Sequence, residues 1–149
     1  MDYYEAWNEN RPKIPAAEYE LKCVKAQKQG IWHEGQNAWG RSEKVILWFQ
    51  VFGSDYSGKI IPMFLPLGNG GKVHQGSKYF VSWCIANGLN RPLRSRLKEM
   101  PPSKFENKVF RCDVVDVKPK WKKGYEKPEI FHYSRVDAIY ELIVGNPNT

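Results

Sequence analysis

The sequence predicts a mainly β domain with five strands and one interior helix. Three observations carry that reading. Five strand-like runs stand out, the clearest from Glu18, where apolar and polar residues alternate with a period of two. One apolar stripe at helical spacing sits between a serine and a glycine. Clusters of Gly, Pro, Asn and Ser separate these segments. At 149 residues the chain is most simply one domain, with enough length to bury a sizeable core.

Residues 1–17 are polar, hold two prolines and show no clear period, so they read as an amino-terminal arm. Tyr3, Tyr4 and Trp7 are its candidate anchors. From Glu18, Tyr19, Leu21 and Cys23 share one face, with Glu20 and Lys22 opposite, which predicts the first strand. Gly30–Ser42 follows as a loop. The second strand spans Glu43–Phe52, with Val45, Leu47, Phe49 and Val51 on one face and Lys44, Ile46, Trp48 and Gln50 on the other. The turn GSDYSG leads to a third strand, Lys59–Leu65, where Pro62 cannot donate a ladder hydrogen bond and so implies an edge or a bulge. Ser77 caps the predicted helix, whose stripe is Phe80, Val81, Cys84 and Ile85, and Gly88 ends it. The fourth and fifth strands are Asn107–Val117 and Ile130–Ile139, and 142–149 is a short tail.

This order of strands and helix resembles the OB-fold, a five-stranded Greek-key barrel with one helix between its third and fourth strands, here over residues 18–141. Another small β-barrel or sandwich with the same strand count is the competing architecture. OB-folds bind oligonucleotides over their second and third strands and through the loops joining strands one to two and four to five. Both of those loops are aromatic and basic here: Trp32, Trp39 and Arg41 in the first, and KPKWKKGYEK (Lys118–Lys127) in the second. The second holds five lysines and one glutamate, which is +4 of the formal +7 charge, with Trp121 and Tyr125 among them. Over about residues 18–139 the segments AEYELKCVKA, KVILWFQV, SKYFVSWCIANGL and FENKVFRCDVVDVK resemble single-stranded DNA-binding proteins of bacteriophages and mobile elements. Bacterial single-stranded DNA-binding proteins typically end in an acidic tail that recruits partners; this sequence ends VGNPNT, so recruitment by that route is not expected.

Bulk chemistry points the same way. A pI of about 9.3 favours an anionic partner, and 14% aromatic content with six tryptophans is high for a core of this size. No apolar run is long enough to span a bilayer, and the start MDYYEAWNENRPK lacks the pattern of a secretion signal. Cys23, Cys84 and Cys112 are odd in number and widely spaced, as expected of core thiols in a reducing compartment, so an intracellular protein is expected, and the resemblance implies a bacterial or phage-infected host cell. His33, His74 and His132 are scattered, with no CxxC, HxxxH or GxSxG, so no catalytic residue, metal or cofactor is expected. GNGGK at 68–72 lacks the spacing of a phosphate-binding loop and reads as a flexible turn.

The expected activity is therefore non-enzymatic binding of single-stranded DNA with little sequence preference. Lys44, Lys118, Lys120, Lys122, Lys123, Arg41 and Arg135 would meet phosphates, and Trp32, Trp39, Trp48, Trp121, Tyr125, Phe131 and Tyr133 are candidate stacking partners. Phe131, Tyr133 and Arg135 are expected on one face of the fifth strand. Trp48 has two readings: a base-stacking platform on an open outer face, or a structural residue covered by the arm or by Asn90–Lys104. Trp83 reads as structural, and Arg91, Arg94, Arg96 and Lys98 as a solvated face. RNA binding on the same fold, and a structural barrel whose tryptophans anchor protein partners, remain as alternatives. A homodimer is compatible with the sequence, which does not decide oligomeric state.

Overall fold

The alternating runs assemble into one antiparallel five-stranded sheet, ordered β3-β2-β1-β4-β5. The computed structural model describes residues 3–32, 41–67, 72–121 and 124–144, with backbone alone at 29–32, 41–42 and 144. In chain order the elements are α1 (Tyr3–Asn10), β1 (Ala17–Trp32), β2 (Arg41–Val51), β3 (Ile60–Leu67), α2 (Lys78–Ala86), β4 (Val109–Val117) and β5 (Tyr133–Val144).

Long β1 serves two neighbours. Its start pairs with β4 from Ala17↔Val114 to Lys22↔Val109, and from Leu21 onward it pairs with β2 as far as Trp32↔Arg41. The register shifts between Cys23 and Lys25, and such a bulge bends and twists the strand. β3 and β5 are the two edges; among the described residues no ladder joins them, so the hydrogen-bonded sheet is open. Pro62 lies on edge strand β3, where a missing N–H is tolerated.

Parity along β2 divides the interior in two. Val45, Leu47, Phe49 and Val51 enter the main core with Leu21, Ile61, Met63, Phe105, Phe110 and Val136. Ile46 and Trp48 point to the opposite face and form a second buried cluster with Trp7 of α1. The arm is therefore an ordered part of the domain. Its helix escaped the sequence reading because Tyr, Trp and Asn are indifferent helix formers, and α1 depends on what it packs against.

Ser77 Oγ accepts from the Phe80 N–H at 3.1 Å and caps α2. Gly88 takes a left-handed φ of 69° past its end. The buried face of α2 is Tyr79, Phe80, Trp83, Ile85 and Ala86, whereas Val81 is exposed and Cys84 only half-buried. That face packs toward β3 and β5, so the expected stripe is rotated by about one position. Trp83 is structural: it is buried and its indole N–H donates to the Pro101 carbonyl at 3.2 Å.

Three boundaries differ from expectation. β5 starts at Tyr133, because Pro128 leads into a 3-10 turn at Glu129–Phe131, and it runs on to Val144 into the expected tail. The expected Gly30–Ser42 loop is shorter, since β1 and β2 stay paired as far as Trp32 and Arg41. Cys23, Cys84 and Cys112 are free thiols, and Cys23 and Cys112 are buried. No helix is long and apolar enough to cross a membrane among the described residues.

Candidate nucleic-acid interface

The loop between β4 and β5 folds back on itself. Lys120 bridges to Glu126, the Trp121 N–H donates to the Tyr125 carbonyl at 2.6 Å, and the Lys127 N–H donates to the Pro119 carbonyl at 2.9 Å. Gly124 makes the reversal with φ 82°, a conformation costly for any residue carrying a Cβ. This small hairpin presents aromatic side chains outward, with Trp121 56% and Tyr125 73% exposed, and Phe131 of the 3-10 turn that follows is 47% exposed. Hydrophobic rings held in water without a packing role are the informative exception to burial.

Lys127 organises the ring array. Its ammonium sits 5.2 Å from the Trp121 ring centroid and 5.9 Å from that of Phe131. The imidazole Nε2 of His132 lies 3.0 Å from the Lys127 carbonyl and fixes the base of the loop. Lys118 and Lys120 are exposed beside it. Facing the loop across a groove of about 350 Å³ is the end of α1, so that Asn8, Asn10 and Arg11 look across at Pro119, Lys127, Ile130 and Phe131. Arg11 and Lys127 were not among the expected contacts. Lys127 was legible as the lysine closing the hairpin opposite Pro119, whereas Arg11 reaches the groove from more than a hundred residues away and left no local signal.

Trp48 is not an open platform. It is fully buried, and its indole N–H donates to the Gln27 side-chain carbonyl at 3.1 Å. Tyr3 stacks over it at 6.2 Å between centroids with 26° between planes, and Trp7 lies 6.0 Å away. Trp7 also meets Phe64 at 5.7 Å and Tyr133 at 5.4 Å. Of the two readings of Trp48, cover by the arm is the one observed. Lys44, half-buried on the same face, holds its ammonium 4.6 Å from the Phe64 ring, and burial lowers its pKa.

The expected stripe on β5 separates into three environments. Phe131 belongs to the 3-10 turn and the exposed loop. Tyr133 packs beneath α1. Arg135 turns along its own strand to Asp137 at 3.6 Å, a carboxylate that Lys78 also approaches at 3.2 Å.

Trp39, Lys122, Lys123 and the GNGG of the 68–72 turn lie outside the described residues, as do the side chains of Trp32 and Arg41. Arg91, Arg94, Arg96 and Lys98 are exposed. Among the described residues no group of three His, Cys, Asp or Glu could hold a metal ion. No protein-family model, curated protein or solved structure matches this chain significantly.

Proposed function

We propose that the protein binds single-stranded DNA without catalysing a reaction, and that the β4–β5 loop is its primary contact. One observation carries this reading: the exposed rings of Trp121 and Tyr125 sit on one short, backbone-braced hairpin with Lys118, Lys120 and Lys127 on or beside it, and exposed Phe131 follows in the next turn. Rings of that kind stack on unpaired bases of any identity, and lysines neutralise phosphates without reading sequence. A duplex hides its base faces, so it would use the lysines but not the rings. The OB-fold is the architecture we infer around this loop. Its support is the antiparallel pairing in which β1 bonds both β2 and β4, leaving β3 and β5 as edges on either side of α2.

The deciding experiment is an affinity titration with fluorescent oligo(dT), oligo(U) and duplex DNA at two salt concentrations. Single strands should bind more tightly than duplex, with affinity falling as salt rises. Equal affinity for duplex would leave charge alone as the cause and remove the stacking role. The oligo(U) arm reports whether the sugar matters, a choice made by 2′-hydroxyl contacts.

A further inference from the structure

We infer that α1 is a displaceable cover that imitates a bound single strand, and that the face beneath it is a second base-stacking site. This inference rests on the single-strand reading above. The face consists of Trp48, Phe64 and Tyr133, with the ammonium of Lys44 over Phe64. Flat rings beside a cation are what a nucleic-acid strand requires of a protein surface. In the structure α1 fills that role: Tyr3 stacks on Trp48 and Trp7 inserts among Trp48, Phe64 and Tyr133. Within its eight residues α1 has two glutamates and no basic residue. The rings of α1 thus stand where bases would lie.

The helix is built to leave. It has only eight residues, and isolated helices of that length do not persist in water. Its anchor is imperfect, because the Trp7 indole N–H is buried without a hydrogen-bond partner. Beyond it the chain has both a hinge and a tether. Arg11 adopts a left-handed φ of 39°, unfavourable for a residue with a side chain. Pro12–Ile14 is then fixed to β5: the Ile14 N–H donates to Ser134 Oγ at 2.8 Å, Ser134 Oγ donates to the Ile14 carbonyl at 3.1 Å, and the Ser134 N–H donates to the Pro12 carbonyl at 3.2 Å. Rotation at Arg11 therefore lifts α1 without unfolding the sheet. A pocket of about 570 Å³ between Tyr3, Trp7 and Lys59, Ile60 marks where its packing on the sheet is already incomplete.

Because the covered state cannot bind at this face, the observed affinity is the intrinsic one reduced by the open fraction. The test uses the full chain, wild type and Trp7→Ala, with a fluorescent oligo(dT) long enough to span both sites. It adds hydrogen exchange of the Tyr3–Asn10 amides with and without the oligonucleotide. Trp7→Ala should bind at least about tenfold more tightly, and saturating oligo(dT) should speed exchange of the α1 amides in the wild type. Equal or weaker binding by a folded Trp7→Ala, with α1 amides still protected in the wild-type complex, overturns the inference and leaves the loop reading intact. If neither protein binds any oligonucleotide, the single-strand reading itself fails and this inference falls with it. Should Trp7→Ala fail to fold, Tyr3→Ala and the wild-type exchange measurement decide the question by the same criteria.

Discussion

Replacing Trp121 with alanine separates a binding role from a structural one. The ring is more than half exposed, and its described side-chain partner is the Lys127 ammonium at 5.2 Å. A cation–π contact at an exposed site is worth about 0.5–1 kcal/mol. The hydrogen bond from the Trp121 N–H to the Tyr125 carbonyl belongs to the backbone and survives the substitution. Trp121→Ala should therefore lower folding stability by no more than about 1 kcal/mol. The same change at buried Trp83, which also loses its bond to Pro101, should cost about 3–5 kcal/mol and supplies the contrast.

Binding should respond in the opposite proportion. A stacked base contributes about 1–3 kcal/mol, and 1.4 kcal/mol is tenfold in affinity, so oligo(dT) should bind Trp121→Ala roughly 5- to 150-fold more weakly. Anisotropy of a labelled oligo(dT) reads this without relying on tryptophan emission, and urea unfolding followed by circular dichroism reads stability. Trp121→Phe should recover much of the loss, since phenylalanine keeps a flat face. An unchanged affinity in a folded Trp121→Ala would refute the stacking role. A stability loss of about 3 kcal/mol would show instead that the ring is packed.

Three further outcomes follow from the same geometry. Ser134→Ala removes a buried hydroxyl that ties Ile14 to β5, and should cost about 1–3 kcal/mol in urea unfolding, because the Ile14 N–H is left buried without a partner. Lys127→Met should lessen the slope of log affinity against log salt by about 0.7, the value of one phosphate contact on a single strand; an unchanged slope would assign that ammonium to the rings alone. Burial raises the pKa of the Cys23 and Cys112 thiols and of the Tyr79 phenol. Their neutral forms are favoured in the fold, so this stability is fully present below the unfolded values of 9.0 and 10.0 and declines as pH rises above them. The urea midpoint should accordingly fall as pH rises from about 9 to 10.5, and a flat profile would show that these groups are not sheltered.

The strands were legible because their chemistry is local. Parity along Lys44–Val51 placed Val45, Leu47, Phe49 and Val51 on one face and Trp48 on the other, and the two buried clusters follow that division. Ser77 and Gly88 marked the ends of α2 through capping and left-handed backbone, both properties of single residues. What covers a face is a property of distant segments. Nothing near Trp48 in sequence indicates that Trp7 and Tyr3 lie over it, and the polar, aperiodic arm gave no helical signal. The β5 boundary failed for a related reason: Ile130 and Phe131 are strand-favouring residues that extend the run before Tyr133, but Pro128 starts a turn there and leaves both exposed.

Arg11 links the loop to the cover. Arg11 holds its guanidinium 4.8 Å from the Trp7 ring and 5.2 Å from the Tyr133 ring, while the same side chain lines the groove opposite Lys127. On the proposed reading, a phosphate entering that groove competes for Arg11 with two aromatic faces and with the Asn8 amide oxygen, to which the guanidinium donates at 2.8 Å. An arginine–phosphate pair is charged and bidentate, whereas a cation–π contact is weaker, so the phosphate prevails. Drawing Arg11 away uncaps Trp7 at the left-handed residue about which α1 turns. The phosphate also lies beside Glu9, which lines the groove from the same helix, and like charges there push α1 outward. Occupation of the loop would thus loosen the cover through contacts already present, and the β4–β5 hairpin would act before the sheet face and license its use.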